Sequence, residues 1–186
     1  MDGLRDRVRL AAGRVAAPSA AIIDSQSVKA AETVAGASRG FDAGKKINGR
    51  KRHIAVDTLG LLLVVLVTAA SMQDRDGARP LLQQLAASCQ RVRLVRADGG
   101  AAGKLVDFTR DTLRIVLQIV KRSDCATGFV VLPRRWVVER TLAWITRHRR
   151  CARDYERLPT RHEAMVRWSM IRITSQRLTK RTSRAE

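Results

Sequence analysis

HIAVDTLGLLLVVLVTAA, residues 53–70, holds two β-branched runs divided by the turn tetrapeptide DTLG at residues 57–60. Val, Ile and Thr suit a pleated, half-buried surface, and two such runs around a short turn read as a β-hairpin. The apolar part is too short to cross a bilayer as a helix, which takes roughly 20 residues. Residues 53–70 therefore predict two adjacent antiparallel strands inside a folded domain.

Working outward, AAIID (residues 20–24) reads as a short buried strand ending on Asp24. GASRGFDAGKKINGRKR (residues 36–52) is rich in Gly, Lys and Arg and reads as loop or exposed edge. Residues 1–18 read as a helical stub that stops at Pro18. Downstream, DRDGARPLLQQLAAS (74–88) has apolar residues at helical spacing behind a candidate cap, Asp76; Pro80 is tolerable only in a first turn. RVRLVRADGG (91–100) reads as a strand ending on Asp98, GKLVDFTRDTL (103–113) as a helix and RIVLQIVKR (114–122) as a strand. A loop near SDCATGFVVLP (123–133) leads to a helix in RRWVVERTLAWITRHRR (134–150), and a last helix covers RHEAMVRWSMIRITSQRL (161–178). A hairpin followed by alternating helices and strands predicts one α/β domain, a mixed sheet with helices on both faces.

Charge narrows the function. The chain of 186 residues has 36 Lys+Arg against 17 Asp+Glu, a net charge of +19. Such an excess repels itself unless a polyanion offsets it, which points to nucleic acid; a generally basic background composition is the bland alternative. Aromatics are only 4%, which argues against base-stacking platforms as the main binding mode. Cys89, Cys125 and Cys151 are isolated, which disfavours a disulfide framework and a zinc site. The first ten residues have no apolar core of a signal peptide, so the expected location is cytoplasmic, with no membrane contact.

In sheets of this kind, ligand-binding groups gather at the carboxyl ends of parallel strands. Asp24 and Asp98 each close a predicted strand, and Glu139 lies on a helix among Arg134, Arg135, Arg140 and Arg147. Three carboxylates so placed suit a pair of divalent ions about 3.5–4 Å apart acting on a phosphodiester, with arginines holding the backbone. Singly, each acid has a structural reading: Asp24 as a turn residue, Asp98 as turn chemistry before Gly99 and Gly100, Glu139 as a partner of Arg135 one turn away. The run from Gly44 to His53 supplies Lys45, Lys46, Arg50, Lys51 and Arg52 as candidate phosphate contacts, with a solvated loop as the alternative. His53, His148 and His162 lack ligand spacing and read as surface or groove residues. Trp136 and Trp144, on one face of a helix, read as core.

The segments AIIDSQSVK, GFDAGKK, GRKRHIAVDTLG, QDRDGA, ADGG, QIVKRSD, GFVVLPRRWVVERTLAW and RDYERLP, in that order, resemble the bacterial insertion-sequence DDE transposases. The resemblance is to the insertion-sequence-five group, related to the insertion-sequence-four group, and spans residues 19–175. It implies a ribonuclease H-like catalytic domain over those residues; residues 176–186 read as a basic tail. It also implies Asp24, Asp98 and Glu139 as catalytic ligands of Mg2+ or Mn2+, with Arg135 beside the scissile backbone. The activity implied is cleavage of element ends and strand transfer into target DNA. The implied partners are double-stranded DNA, further copies of the chain on DNA, and the product of an upstream frame; the implied location is the nucleoid. The family's amino-terminal DNA-binding region has only residues 1–18 to correspond to it here, so a frameshift partner and a truncated, DNA-binding but inactive remnant are both open. A stand-alone nuclease of the same fold is a third reading. The related group's signature has a tyrosine and a lysine where Leu132 and Thr146 stand, and an aromatic is usual where Ala101 follows the double glycine.

Overall fold

The computed structural model describes residues 1–120 and 136–182. Six strands form one sheet: β1 (Ala20–Lys29), β2 (Gly40–Asp42), β3 (Ile47–Asp57), β4 (Leu62–Ala69), β5 (Leu94–Ala97) and β6 (Val116–Ile119). Their order is β2-β3-β1-β5-β6, with β4 also on β3. Strands β2 and β4 share one edge of β3, pairing with Ile47–Gly49 and Arg50–Val56 respectively. Strand β3 is antiparallel to β1, and β1, β5 and β6 run parallel. This is a ribonuclease H-like mixed sheet. The described helices are α1 (Asp2–Ala11), α2 (Asp74–Ser88), α3 (Lys104–Leu113), α4 (Trp136–Thr146), α5 (Arg149–Ala152) and α6 (Pro159–Thr182).

The hairpin forms where its residues predict it. Asp57 Oδ1 accepts from the amides of Leu59 at 2.9 Å and Leu61 at 2.8 Å, and Gly60 takes φ +80°, a conformation that suits glycine. Side chains alternate across the sheet and build two cores. Ala21 and Ile23 join Leu81, Leu82 and Leu85 of α2 and Leu105 of α3 on one face. Ile22, Ile54 and Val65 join Val138 and Ile145 of α4 and Val166 and Met170 of α6 on the other. Each of the larger of these side chains, removed from water, contributes about 1.5–3 kcal/mol. Helices thus cover both faces, as the element order predicts.

Several sequence expectations are corrected. Strand β1 continues five residues past Asp24, because β3 pairs with it as far as Lys29. Of residues 36–52, expected as loop or exposed edge, 43–46 form an exposed turn, but from Ile47 the chain is β3, which carries Arg50, Lys51 and Arg52 into the interior. Helix α2 starts at Asp74 with Gln73 as its N-cap, so Asp76 is not the cap and Pro80 sits beyond the first turn. Trp136 and Trp144 are not core residues. Trp136 is 43% exposed, and the two indoles flank the Arg140 guanidinium at 4.3 and 4.5 Å.

Helix α1 packs on α6, and buried Arg9 pairs with buried Asp57 at the hairpin turn. Helix α6 runs through Thr182, into the stretch expected as a basic tail. Among the described residues, no helix is long and apolar enough to cross a membrane.

Candidate active site

Parallel pairing of β1 with β5 ends at Ile22↔Arg96. Beyond it β1 follows β3, with Asp24 opposite Ile54, while β5 stops at Ala97. Asp24 and Asp98 therefore stand at equivalent positions, each two residues past the last shared pair. The strands part there and open a pocket that Asp24, Asp98, Asp74 and His53 all line. A cleft at diverging parallel strands is where open α/β sheets bind ligands.

Local bonds set each acid. Asp24 Oδ1 accepts from the Ser25 amide at 2.7 Å. Asp98 Oδ1 accepts from the Gly100 amide at 3.1 Å and caps the 3-10 turn Gly99–Ala101. The turn reading of Asp98 is therefore realised together with its place in the pocket. Asp74, which the sequence reading passed over in favour of Asp76, is the third carboxylate of the pocket. Ser25 Oγ donates to it at 2.8 Å and the Lys51 ammonium lies 2.9 Å away. Burial alone raises the Asp74 pKa, but the bonds from Lys51 and Ser25 outweigh it and hold the carboxyl below its ordinary value. Its sequence signals were its place at the first residue of a helix following a strand and its membership of the QDRDGA segment.

The basic run divides sharply. Lys45 and Lys46 are exposed in the turn between β2 and β3. Lys51 is buried, donating to Met72 O at 2.8 Å besides pairing with Asp74. Arg50 is fully buried, and its guanidinium meets Ser38, Asp154, Glu156 and Arg157. Arg52, also fully buried, donates to Gln26 Oε1 at 2.9 Å, Cys151 O at 2.9 Å and Thr146 Oγ1 at 2.9 Å. Its burial pulls the guanidinium pKa down to about 10. The expectation that Arg50, Lys51 and Arg52 contact phosphates is corrected: protein acceptors hold these cations inside. His162 is likewise interior, and His53 is buried in the lining of the pocket rather than on the open surface. His53 Nε2 lies 3.0 Å from Thr68 Oγ1, and burial pushes the imidazole pKa down to about 4.

Helix α4 lies along β1. Its Val137 shares a cavity lining with Ile22, and its last residue, Thr146, lies 3.4 Å from Gln26 Oε1. Asp24 falls between Ile22 and Gln26 and shares their sheet face by alternation. Glu139 and Thr146 are seven residues apart and share a helix face. Glu139 is exposed and does not line the pocket of Asp24 and Asp98. Among the described residues, no three His, Cys, Asp or Glu side chains stand close enough to hold a metal ion together. The structure thus brings Asp24 and Asp98 to one pocket and leaves Glu139 outside it. The two aspartates offer hard oxygen donors, which fit a hard divalent cation rather than zinc or copper.

Of the other basic candidates, Arg147 is exposed after α4. Arg140 stacks between its tryptophans and donates to Leu59 O at 3.4 Å; burial lowers its pKa. Arg135 lies outside the described residues.

The family model described as "Transposase DDE domain" matches residues 16–173. The chain is also 29% identical over 146 residues to a "Putative transposase for insertion sequence element IS402" of Burkholderia cepacia, an alignment covering 70% of this chain and 68% of that protein.

Proposed function

The chain belongs to the transposase DDE domain family, and on that premise we propose that it cleaves DNA at the ends of an insertion sequence and joins the freed strand to target DNA. The observation that carries the reading is the placement of Asp24 and Asp98, in equivalent positions where β1 and β5 part, lining one pocket. DDE transposase domains depend on divalent metal, and Asp24 and Asp98, with Glu139 from α4, would hold Mg2+ or Mn2+ here. Such a metal pair, when bound, activates the attacking oxygen and stabilises the leaving one.

The chain's own groups do the positioning. The Ser25 amide orients Asp24, and the Gly100 amide orients Asp98. Lys51 pins Asp74 beside them, so the helix start does not drift from the strand ends. Exposed Lys45, Lys46 and Arg147 would meet phosphates, and further copies of the chain would assemble on the DNA. Glu139, on α4 alongside β1, would supply the third carboxylate to a metal held by Asp24 and Asp98. One observation favours a second reading, a chain that binds DNA without cutting: Glu139 stands outside the aspartate pocket.

The test is cleavage of a labelled duplex carrying inverted repeats that flank the coding sequence, with Mg2+ or Mn2+, and with the product of any upstream frame added. Asp24→Asn is expected to abolish cut product and to leave DNA affinity unchanged or slightly tighter, since a negative charge is gone. Undiminished cleavage by Asp24→Asn ends this reading. Binding without cleavage by the wild-type chain supports the second.

A further inference from the structure

We infer that the groove between α2 and α3 is a track for the sugar–phosphate backbone of the DNA next to the scissile bond. This rests on the transposase reading above and adds a surface to it. The groove, about 480 Å3, is lined by Arg75, Asp76, Arg79, Lys104, Leu105 and Phe108. Arg75 and Arg79 stand one turn apart on α2 and so share a face. Lys104 opens α3 opposite them, and all three cations are exposed.

Two features of these cations bear on what they could hold. Among the described residues they form no ion pair, whereas Arg110, on the same α3, is held by Asp107 and Asp111. Asp76 is the single acid in the lining, leaving an excess of positive charge that a polyanion would offset. They are also held in place. The Arg79 guanidinium lies 4.0 Å from the centre of the Phe108 ring, which fixes its plane. The Arg75 guanidinium carbon comes within 3.9 Å of where a Cβ on Gly103 would stand, so Arg75 reaches across to the start of α3.

Position supplies the occupant. Asp74, the residue before Arg75, lines the aspartate pocket. Gly103 and Lys104 follow closely on the turn that Asp98 caps. A strand whose phosphate sits at Asp24 and Asp98 therefore leaves the pocket past Arg75 and Lys104, then Arg79. The charge sign, the arginine geometry and the continuity with the acids fit a DNA backbone.

The experiment measures affinity for a fluorescent duplex across salt concentrations. The triple variant Arg75→Ala/Arg79→Ala/Lys104→Ala should lower the steepness of log affinity against log salt by about 2.7, at roughly 0.9 per phosphate contact. The control triple Arg7→Ala/Arg161→Ala/Arg167→Ala removes equal charge from α1 and α6, across the sheet from α2 and α3, and should lower it by less than about 1. The charge-preserving set Arg75→Lys/Arg79→Lys/Lys104→Arg should keep most of the slope. Lys104→Glu alone, at an exposed helix start that tolerates an acid, gives a second reading if the triple variant folds poorly; its affinity must fall. An unchanged slope in the groove triple, or an equal loss in the control, overturns the track. Because Asp24→Asn is scored by cleavage and the groove by binding, failure of one is distinguishable from failure of the other.

Discussion

Replacing Arg50 decides between two roles for a residue that the sequence offers to DNA and the structure holds inside. Its guanidinium has five N–H donors. Nε donates to Ser38 O at 3.0 Å, and Nη1 to Asp154 Oδ2 at 3.0 Å and Glu156 O at 2.8 Å. Nη2 donates to the Ser38 hydroxyl and to Arg157 O at 2.9 Å. Five donors thus meet five acceptors, and both members of the Arg50–Asp154 pair are fully buried. Arg50→Met removes all of these and leaves Asp154 charged in the interior, which costs about 3–5 kcal/mol. Arg50→Lys keeps the charge but cannot span the fork, and two or three abandoned acceptors cost about 2–3 kcal/mol. For a chain of this size each kcal/mol moves Tm by about 2–4 °C, so Arg50→Met should lower Tm by about 6–20 °C. Urea and thermal unfolding followed by circular dichroism measure this, with duplex binding measured in parallel. An Arg50→Lys variant with unaltered Tm, or an Arg50→Met variant with unaltered Tm and a salt slope reduced by about 0.9, would refute the internal role.

Two further outcomes follow from the pocket wall. Gly77→Ala in an ordinary helix stabilises, but here a Cβ would stand 2.1 Å from His53 Cε1, a ring fixed between α2 and the sheet. Unfolding should show a loss of about 1–3 kcal/mol, and a gain would mean that the ring has room to turn. His53 has its pKa depressed to about 4, so between that value and its ordinary 6.5 the unfolded chain binds the extra proton. Stability should therefore fall as pH drops through this window, by about 1.4 kcal/mol per unit and roughly 3 kcal/mol in all. Urea midpoints from pH 7 to 4.5 should be flatter for His53→Gln than for wild type; equal pH dependence would remove His53 as the cause.

Local order was legible because its signals are local. The β-branched runs around residues 57–60 predict the hairpin, and 3.6-residue periodicity predicts α2, α3, α4 and α6 to within a few residues at each end. The same signals misplace what depends on distant partners. Asp24 looked like a strand end because polar residues follow it, yet β3 supplies the backbone bonds that carry β1 on to Lys29. Asp74 looked unremarkable because its partners, Ser25 and Lys51, belong to other strands. Trp136 and Trp144 looked like core because spacing places them on one face, without saying that this face meets Arg140 instead of the sheet.

The sequence alone determined the hairpin and the alternation of helices and strands after it, the excess of positive charge and Asp24 and Asp98 as acids beside parallel strands, since each is written in neighbouring residues. Only the tertiary structure decided which cations are free. Lys45 and Lys46 lie a few residues from Arg50 and Arg52, and composition cannot tell them apart. The acceptors that take Arg50 inside come from Asp154, Glu156 and Arg157, more than a hundred residues along the chain, and Arg52 draws on Thr146 and Cys151 in the same way. A buried guanidinium is stable only where such acceptors converge on it, and convergence is a property of the folded chain rather than of any segment of it.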